Sequence, residues 1–340
     1  MTGSDSTSYQ LQEALANASW RFHPQWRLQG QAIYRRMGNL TEDETLGIDY
    51  LNLEYRAPLA NGTVSAELGR FKSDGGFYSS GRDSAFSRPT ILLPQSIYPE
   101  GLRDASLRLD GLRLKGNHGL GEQPLSWSLS YGESDLGDDF SRQLYGTDTQ
   151  DIDSDYTFIA RLGWVPAESW ELSASYQRSR TDTTGIAPFG PPVVTTSSSK
   201  VTAWLAGARY MNARWEWVAE AQRYTTDNAR GEQTAIGGYL QGGYLIRDSL
   251  SAKLRYDIYY SDKEDRDGDR FVERGREPWR AWGKDLTAAL SWQWNSQWQV
   301  SVEWHLVEGT AWVTPLISSS SLGEEHWQLW MLQLAYQWRW

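Results

Sequence analysis

The sequence predicts an all-β protein, an antiparallel transmembrane β-barrel with an infolded long loop, on three observations. The closing segment alternates strictly: Trp330, Leu332, Leu334, Tyr336, Trp338 and Trp340 share one face, and Met331, Gln333, Ala335, Gln337 and Arg339 the other. Successive strand residues point to opposite faces, so one face is apolar and the other mostly polar. The pattern recurs along the chain, and short turns alternate with long polar loops, as in outer-membrane barrels.

Fifteen strands follow from the alternation, at about 11–22, 26–37, 46–57, 62–72, 105–115, 124–134, 154–165, 170–181, 200–211, 214–226, 233–246, 250–261, 283–295, 298–312 and 326–340. The strand at 298–312 sets Trp298, Val300, Val302, Trp304 and Leu306 against Gln299, Ser301, Glu303 and His305. Short turns at 23–25, 59–62, 166–168, 211–213, 247–249 and 295–297 face longer loops at 73–105, 135–153, 182–199, 262–281 and 313–325. Trp26, Trp170, Trp215 and Trp298 follow short turns, which places an aromatic girdle at the periplasmic interface.

Composition narrows the rest. The 340 residues include no cysteine, which excludes disulfides, thiolate zinc and redox dithiols. Mean hydropathy is −0.61, and no apolar run approaches the roughly 18 residues of a membrane helix. Alternating barrel strands average to that value without being soluble. The 19 Trp and 18 Tyr exceed what a soluble core satisfies easily. A net charge of −10 disfavours nucleic acid.

An even strand number with both termini periplasmic is the rule for single-chain bacterial barrels, so sixteen strands are expected in the intact barrel. The missing first strand is either absent from this chain or supplied by another peptide; a parallel pairing of the first and last strands is the alternative. Residues 1–8 read as a disordered or expression-derived terminus from which any export signal is gone, and 9–340 as a single barrel.

The 73–105 loop is expected to fold inward and constrict the lumen. Phe77, Phe86, Ile91, Leu92, Leu93, Ile97 and Tyr98 would otherwise stand in water. Arg82, Asp83, Arg88 and Arg103 are its candidate constriction charges. Strand parity adds Arg35, Arg161, Arg255, Asp257 and Glu303 as pore-lining residues, with Arg113, Glu54, Glu67, Asp110, Glu171, Glu216 and Glu220 also inward.

Gly69-Arg70-Phe71-Lys72, Arg82-Asp83 with Arg88-Pro89, and Leu93-Pro94-Gln95-Ser96-Ile97-Tyr98 resemble motifs of a proteobacterial outer-membrane porin-like family. Tyr256-Asp257 with Asp265-Arg266-Asp267-Gly268, and Glu308-Gly309-Thr310-Ala311-Trp312, extend the resemblance over nearly the whole chain. It implies a sixteen-stranded barrel, an export signal and passive solute passage, with no defined substrate. The chain departs from that family in lacking a strand before Leu11–Phe22.

Two sharper chemistries are weighed and set aside. Asp265-x-Asp267-Gly268-Asp269 is similar to a calcium loop, but Lys263 occupies the position two residues earlier where an oxygen ligand is needed. It reads as a solvated acidic loop, so no metal or other cofactor is expected. His305 shares a face with Ser301 and Glu303, yet same-face neighbours lie about 6.6–7 Å apart per two-residue step, too far for a nucleophile–base pair. No enzymatic activity is expected. The expectation is an outer-membrane porin of a Gram-negative bacterium passing small polar or charged solutes. A plugged barrel that binds a partner or serves assembly, or the export conduit of a longer protein, are the other readings. Expected partners are outer-membrane lipid and lipopolysaccharide, and the barrel assembly machinery reading an aromatic end at Tyr336, Trp338 and Trp340.

Overall fold

A strand edge in hydrocarbon would leave N–H and C=O groups without partners, so a membrane-crossing sheet must pair each strand with the next. The computed structural model does this through an unbroken meander and describes residues 11–37, 45–103, 108–136, 150–186, 194–229, 231–313 and 324–338. Its strands are β1 (Leu11–His23), β2 (Trp26–Met37), β3 (Thr45–Leu59), β4 (Gly62–Lys72), β5 (Arg108–Leu120), β6 (Gln123–Ser134), β7 (Gln150–Ala167) and β8 (Trp170–Ile186). They continue as β9 (Val194–Met211), β10 (Trp215–Asn228), β11 (Gly231–Arg247), β12 (Leu250–Tyr260), β13 (Trp282–Gln293), β14 (Trp298–Gly309) and β15 (His326–Tyr336). Each pairs antiparallel with its neighbour in sequence, giving one fifteen-stranded sheet. Among the described residues no ladder joins β15 to β1, and no parallel pair closes the sheet.

The two faces are inverted relative to a soluble protein. Leu332, Trp330, Trp294 and Leu68 are all exposed by more than three-fifths on the outside, whereas Glu67, Glu303 and His305 are fully buried on the inside. At the short-turn end one pairing repeats four times. Trp26 meets Tyr55, Trp170 meets Tyr210, Trp215 meets Tyr244 and Trp298 meets Tyr336, each in cross-strand register. Their ring centroids lie 4.9, 5.1, 4.6 and 4.8 Å apart. Indoles and phenols at one height form an interfacial belt. Two of the short turns use one device: Asn212 Oδ1 accepts the N–H of Arg214 and Trp215, and Asn295 Oδ1 accepts that of Gln297 and Trp298. Such Asx turns reverse the chain without a glycine.

Two expectations change. Strands β8 and β9 run past the membrane into the segment expected as the 182–199 loop. That extension is rich in Thr and Ser, and cross-strand contacts such as Thr184–Thr196 (3.3 Å) and Ser198 to Asp182 (2.5 Å) sustain the ladder without an apolar face. Asp110 faces outward beside Leu112 and Leu114, pairing with Arg70 at 2.7 Å, while Arg113 points inward to Glu67. A regular strand cannot turn both residue 110 and residue 113 inward. The 262–281 segment carries a short helix, α1 (Asp269–Glu273), entered through Gly268 at φ +75°. The aromatic end leaves Tyr336 and Trp338 exposed; Trp340 lies outside the described residues.

Candidate functional site

The segment following β4 lies inside the sheet and is pinned at three places. Its apolar residues make a small core of their own: Tyr78, Leu93 and Tyr98 are buried with the wall residues Val218 and Tyr239, and Phe77 and Ile97 pack on that cluster. The inner wall makes room for it. A Cβ at Gly207 on β9 would stand 2.7 Å from the Phe77 ring, and one at Gly237 on β11 would stand 2.9 Å from Ser96 Cβ.

The first pin is Glu220 on β10. Its carboxylate accepts the Phe77 N–H (2.9 Å), the Tyr98 hydroxyl (2.5 Å) and the Tyr239 hydroxyl (2.7 Å). Burial pushes the Tyr78 and Tyr98 phenols above their ordinary range, reinforced by the neighbouring carboxylates. The second pin is formed by β12 to β14. Glu303 accepts the N–H groups of Ile91 (2.5 Å) and Leu92 (3.3 Å), and Arg255 donates to Thr90 Oγ1 (2.9 Å) and the Leu92 carbonyl (3.1 Å). Asp257 accepts the Ser96 N–H at 3.2 Å. Behind these, His305 stands between Asp285 (2.8 Å) and Glu303 (3.0 Å). The Ser301 hydroxyl donates to Ser291 rather than to His305, so no Ser–His relay forms.

The third pin holds the root of the loop and gathers all four of its predicted charges. Arg88 pairs with Glu13 at 2.7 Å; Arg103 pairs with Glu13 (3.1 Å), Glu100 (2.9 Å) and Asp83. Arg82 meets Glu100 at 3.2 Å, and Arg35 meets Glu13 (3.4 Å) and Glu100. Lys72 bridges Asp83 (2.6 Å) and Asp49 (2.7 Å). Five cations thus face four carboxylates, all largely buried, and such a cluster offsets all but about one of its own charges. Burial lowers the affinity of the Arg82 guanidinium for its proton, with Glu100 opposing. Glu13, Asp49 and Glu100 complete the cluster without any sequence motif that marks them. Alternation makes Glu13 an inward position on β1 opposite Arg35, but its loop partners Arg88 and Arg103 lie 75 and 90 residues away.

The wall from β3 to β10 carries a separate row of charges, most of its cations partly open. Arg113 and Lys115 both reach Glu67, and Lys115 reaches Glu54 at 3.3 Å. Arg161 stands 3.9 Å from Glu171, and Arg209 reaches Glu171 (3.2 Å) and Glu216 (3.8 Å). Arg209 also lies over the Phe77 ring at 4.6 Å, joining this row to the loop. Among the described residues no cluster of three or more metal-ligating side chains occurs. In the 262–281 loop, Asp262 pairs with Arg270 and caps the Glu264 N–H, and Asp265 accepts the Arg270 N–H.

No family model matches the chain, and no curated protein sequence matches it. Solved structures do. OmpF of Salmonella typhi, in a complex with daunomycin, superposes with a TM-score of 0.58 at 13% identity, over 98% of this chain and 93% of that one. The outer-membrane channel DcaP of Acinetobacter baumannii gives 0.57 at 13% identity, over 95% and 84%. An anion-selective porin from Comamonas acidovorans gives 0.55 at 11% identity, over 87% and 78%. The chain therefore has the fold of the outer-membrane β-barrels, in the form that porins and related channels share.

Proposed function

We propose that the protein is a porin of the Gram-negative outer membrane, through which small polar or charged solutes diffuse passively. The observation that carries this reading is the loop itself, held across the lumen by inward side chains of β1, β2, β10, β12 and β14 while the β5–β9 wall keeps its own fixed charges. A lumen narrowed on one side and charged on the other selects by size and sign. The motif cluster from Gly69 to Tyr98 supports it, since Arg82, Asp83, Gln95, Ser96 and Tyr98 are the residues that hold the loop in place. Among the described lumen charges that stay partly open, Arg27, Lys115, Arg161, Arg209 and Lys253 stand against Glu13, Asp74, Glu171 and Glu216, a small cationic excess that favours anions. Secretion, membrane insertion by the assembly machinery and the aromatic C-terminal end belong to the same reading. The test is planar-bilayer recording in a salt gradient: discrete conductance steps with an anion-sign reversal potential are expected. Silence of both the intact protein and a loop-deleted form rejects a channel.

One observation favours a second reading. The loop touches opposite walls and buries Arg82, Asp83, Thr90, Gln95, Ser96 and Arg103, as a plug would. A plugged barrel serving a partner or assembly predicts silence in bilayers until the loop is removed.

A further inference from the structure

One row of inward side chains, on the wall away from the strands that pin the loop, differs from the rest of the lumen. Register sets Arg56 on β3 beside Ser65 on β4, Ser65 beside Lys115 on β5, and Lys115 beside Ser128 on β6. It continues with Arg161 on β7 beside Ser128 and Ser175 on β8 beside Arg161. Residues paired in register share a face, and the contact of Lys115 with buried Glu67 makes that face the inner one. Cation and hydroxyl therefore alternate across six strands with no carboxylate among them. Successive cations stand two strand spacings apart, about 10 Å.

Elsewhere on this wall a carboxylate stands between each two cations. Glu54 lies between Arg27 (2.6 Å) and Lys115 (3.3 Å), Glu171 between Arg161 (3.9 Å) and Arg209 (3.2 Å), and Glu216 between Arg209 (3.8 Å) and Lys253 (3.3 Å). On β6 the series breaks, and Ser128 occupies the place between Lys115 and Arg161. Ser128 is 4% exposed, and its hydroxyl has no hydrogen-bond partner; neither does the hydroxyl of Ser130 nor the Nε of Arg161. Glu171 is beyond hydrogen-bond distance of Arg161, and the loop carboxylate Asp74 stands 4.0 Å from Arg113, which belongs to the next row. A buried hydroxyl without a partner, flanked by two cations, supplies donors and positive charge and wants an acceptor. Lys115 already spans two strands to touch Glu54, so Lys115 and Arg161, each one strand from Ser128, can converge over it. They keep 31% and 18% of their side chains open and meet a solute first, with the serine hydroxyl beneath. A guanidinium fork, an ammonium and a hydroxyl donate from different directions, which suits an acceptor with several oxygens better than a halide.

We propose that Lys115, Ser128 and Arg161 form a binding site for a tetrahedral oxyanion, the phosphate group of inorganic phosphate or of a small phosphate monoester. Arg161 takes two of its oxygens, Lys115 a third, and the Ser128 hydroxyl donates from the wall. The site deepens the channel reading above by naming a solute class, and its role in passage rests on that reading; binding itself does not require conduction.

The test titrates inorganic phosphate into the full chain refolded in phosphate-free detergent, with binding read from broadening of the phosphorus NMR line. Arg161→Gln should weaken binding about tenfold, the loss of one charge-assisted contact. Ser128→Asp, which supplies the carboxylate that the other cation pairs have, should abolish it. Ser128→Ala keeps both cations and should weaken binding by less than Arg161→Gln. Unchanged heat-modifiable migration on gels selects the variants that are folded. Glycerol 3-phosphate is run beside inorganic phosphate: comparable binding supports monoesters as solutes, and none overturns that half of the proposal. Phosphate displaced by chloride at equal concentration, or bound equally by the wild-type protein and the folded Arg161→Gln and Ser128→Asp variants, overturns the site. In bilayers, phosphate should reduce the chloride current of the wild-type protein and leave that of Ser128→Asp unchanged. A chain that stays silent in bilayers yet binds phosphate with the expected variant pattern overturns the channel reading and supports the site.

Discussion

Glu220→Gln is the most informative single change to the loop. The carboxylate accepts three donors at 2.5–2.9 Å and is 2% exposed. A glutamine of the same volume keeps one carbonyl oxygen and turns an NH2 group toward donors. At least two charge-assisted hydrogen bonds are lost, each worth about 1.5–3 kcal/mol. Rotation of a tyrosine hydroxyl to accept from the new NH2 group returns part of that, so a net cost of about 3 kcal/mol is expected. It shifts the docked-to-undocked ratio of the Phe77–Tyr98 end about 100-fold. The Glu303 and Glu13 pins are untouched, so the loop loosens at one end without leaving the lumen. In single-channel recordings the variant should pass a larger, noisier current than the wild-type protein. Tyr98→Phe, which removes one donor, should move the same way by less. Glu220→Gln traces identical to wild type in amplitude and noise, with loop deletion still altering both, would refute the assignment of Glu220 as the latch.

Three further outcomes follow from the same contacts. Glu303→Ala strips the acceptor from the Ile91 and Leu92 N–H groups and leaves Arg255 and His305 short of a buried partner; a loss of about 3–5 kcal/mol is expected, read as a lower midpoint for heat-modified gel migration. Trp298→Ala breaks the ring contact with Tyr336 at 4.8 Å and should cost about 1 kcal/mol beyond the lost area, measured by urea unfolding in lipid vesicles; no change would argue against a belt made of pairs. The Tyr78 and Tyr98 phenols are raised in the folded protein, so their contribution to loop docking is complete below the unfolded value of about 10 and declines as pH rises toward the folded one. Channel noise should therefore be constant from pH 7 to 9 and grow above pH 10, and a rise confined to lower pH would contradict the sign.

The barrel was legible without coordinates because the period of two belongs to the extended backbone itself. Fifteen strands are expected in this chain and fifteen form among the described residues, and the four girdle tryptophans fall where the short turns place them. Strand ends were harder to read. The Thr- and Ser-rich ends of β8 and β9 stay in ladder with no apolar face to announce it, and Asp110 turns outward because strand parity, not polarity, sets direction. The inward positions of Glu220, Arg255, Asp257 and Glu303 followed from alternation alone. What those groups bind did not. Glu13 meets Arg88 and Arg103 only because the rolled sheet brings β1 beside a loop 75 to 90 residues away in sequence. Side-chain direction is a local property of the strand; partnership depends on which strands and loops the rolled sheet brings together, and that is decided by many weak contacts acting at once across the whole chain.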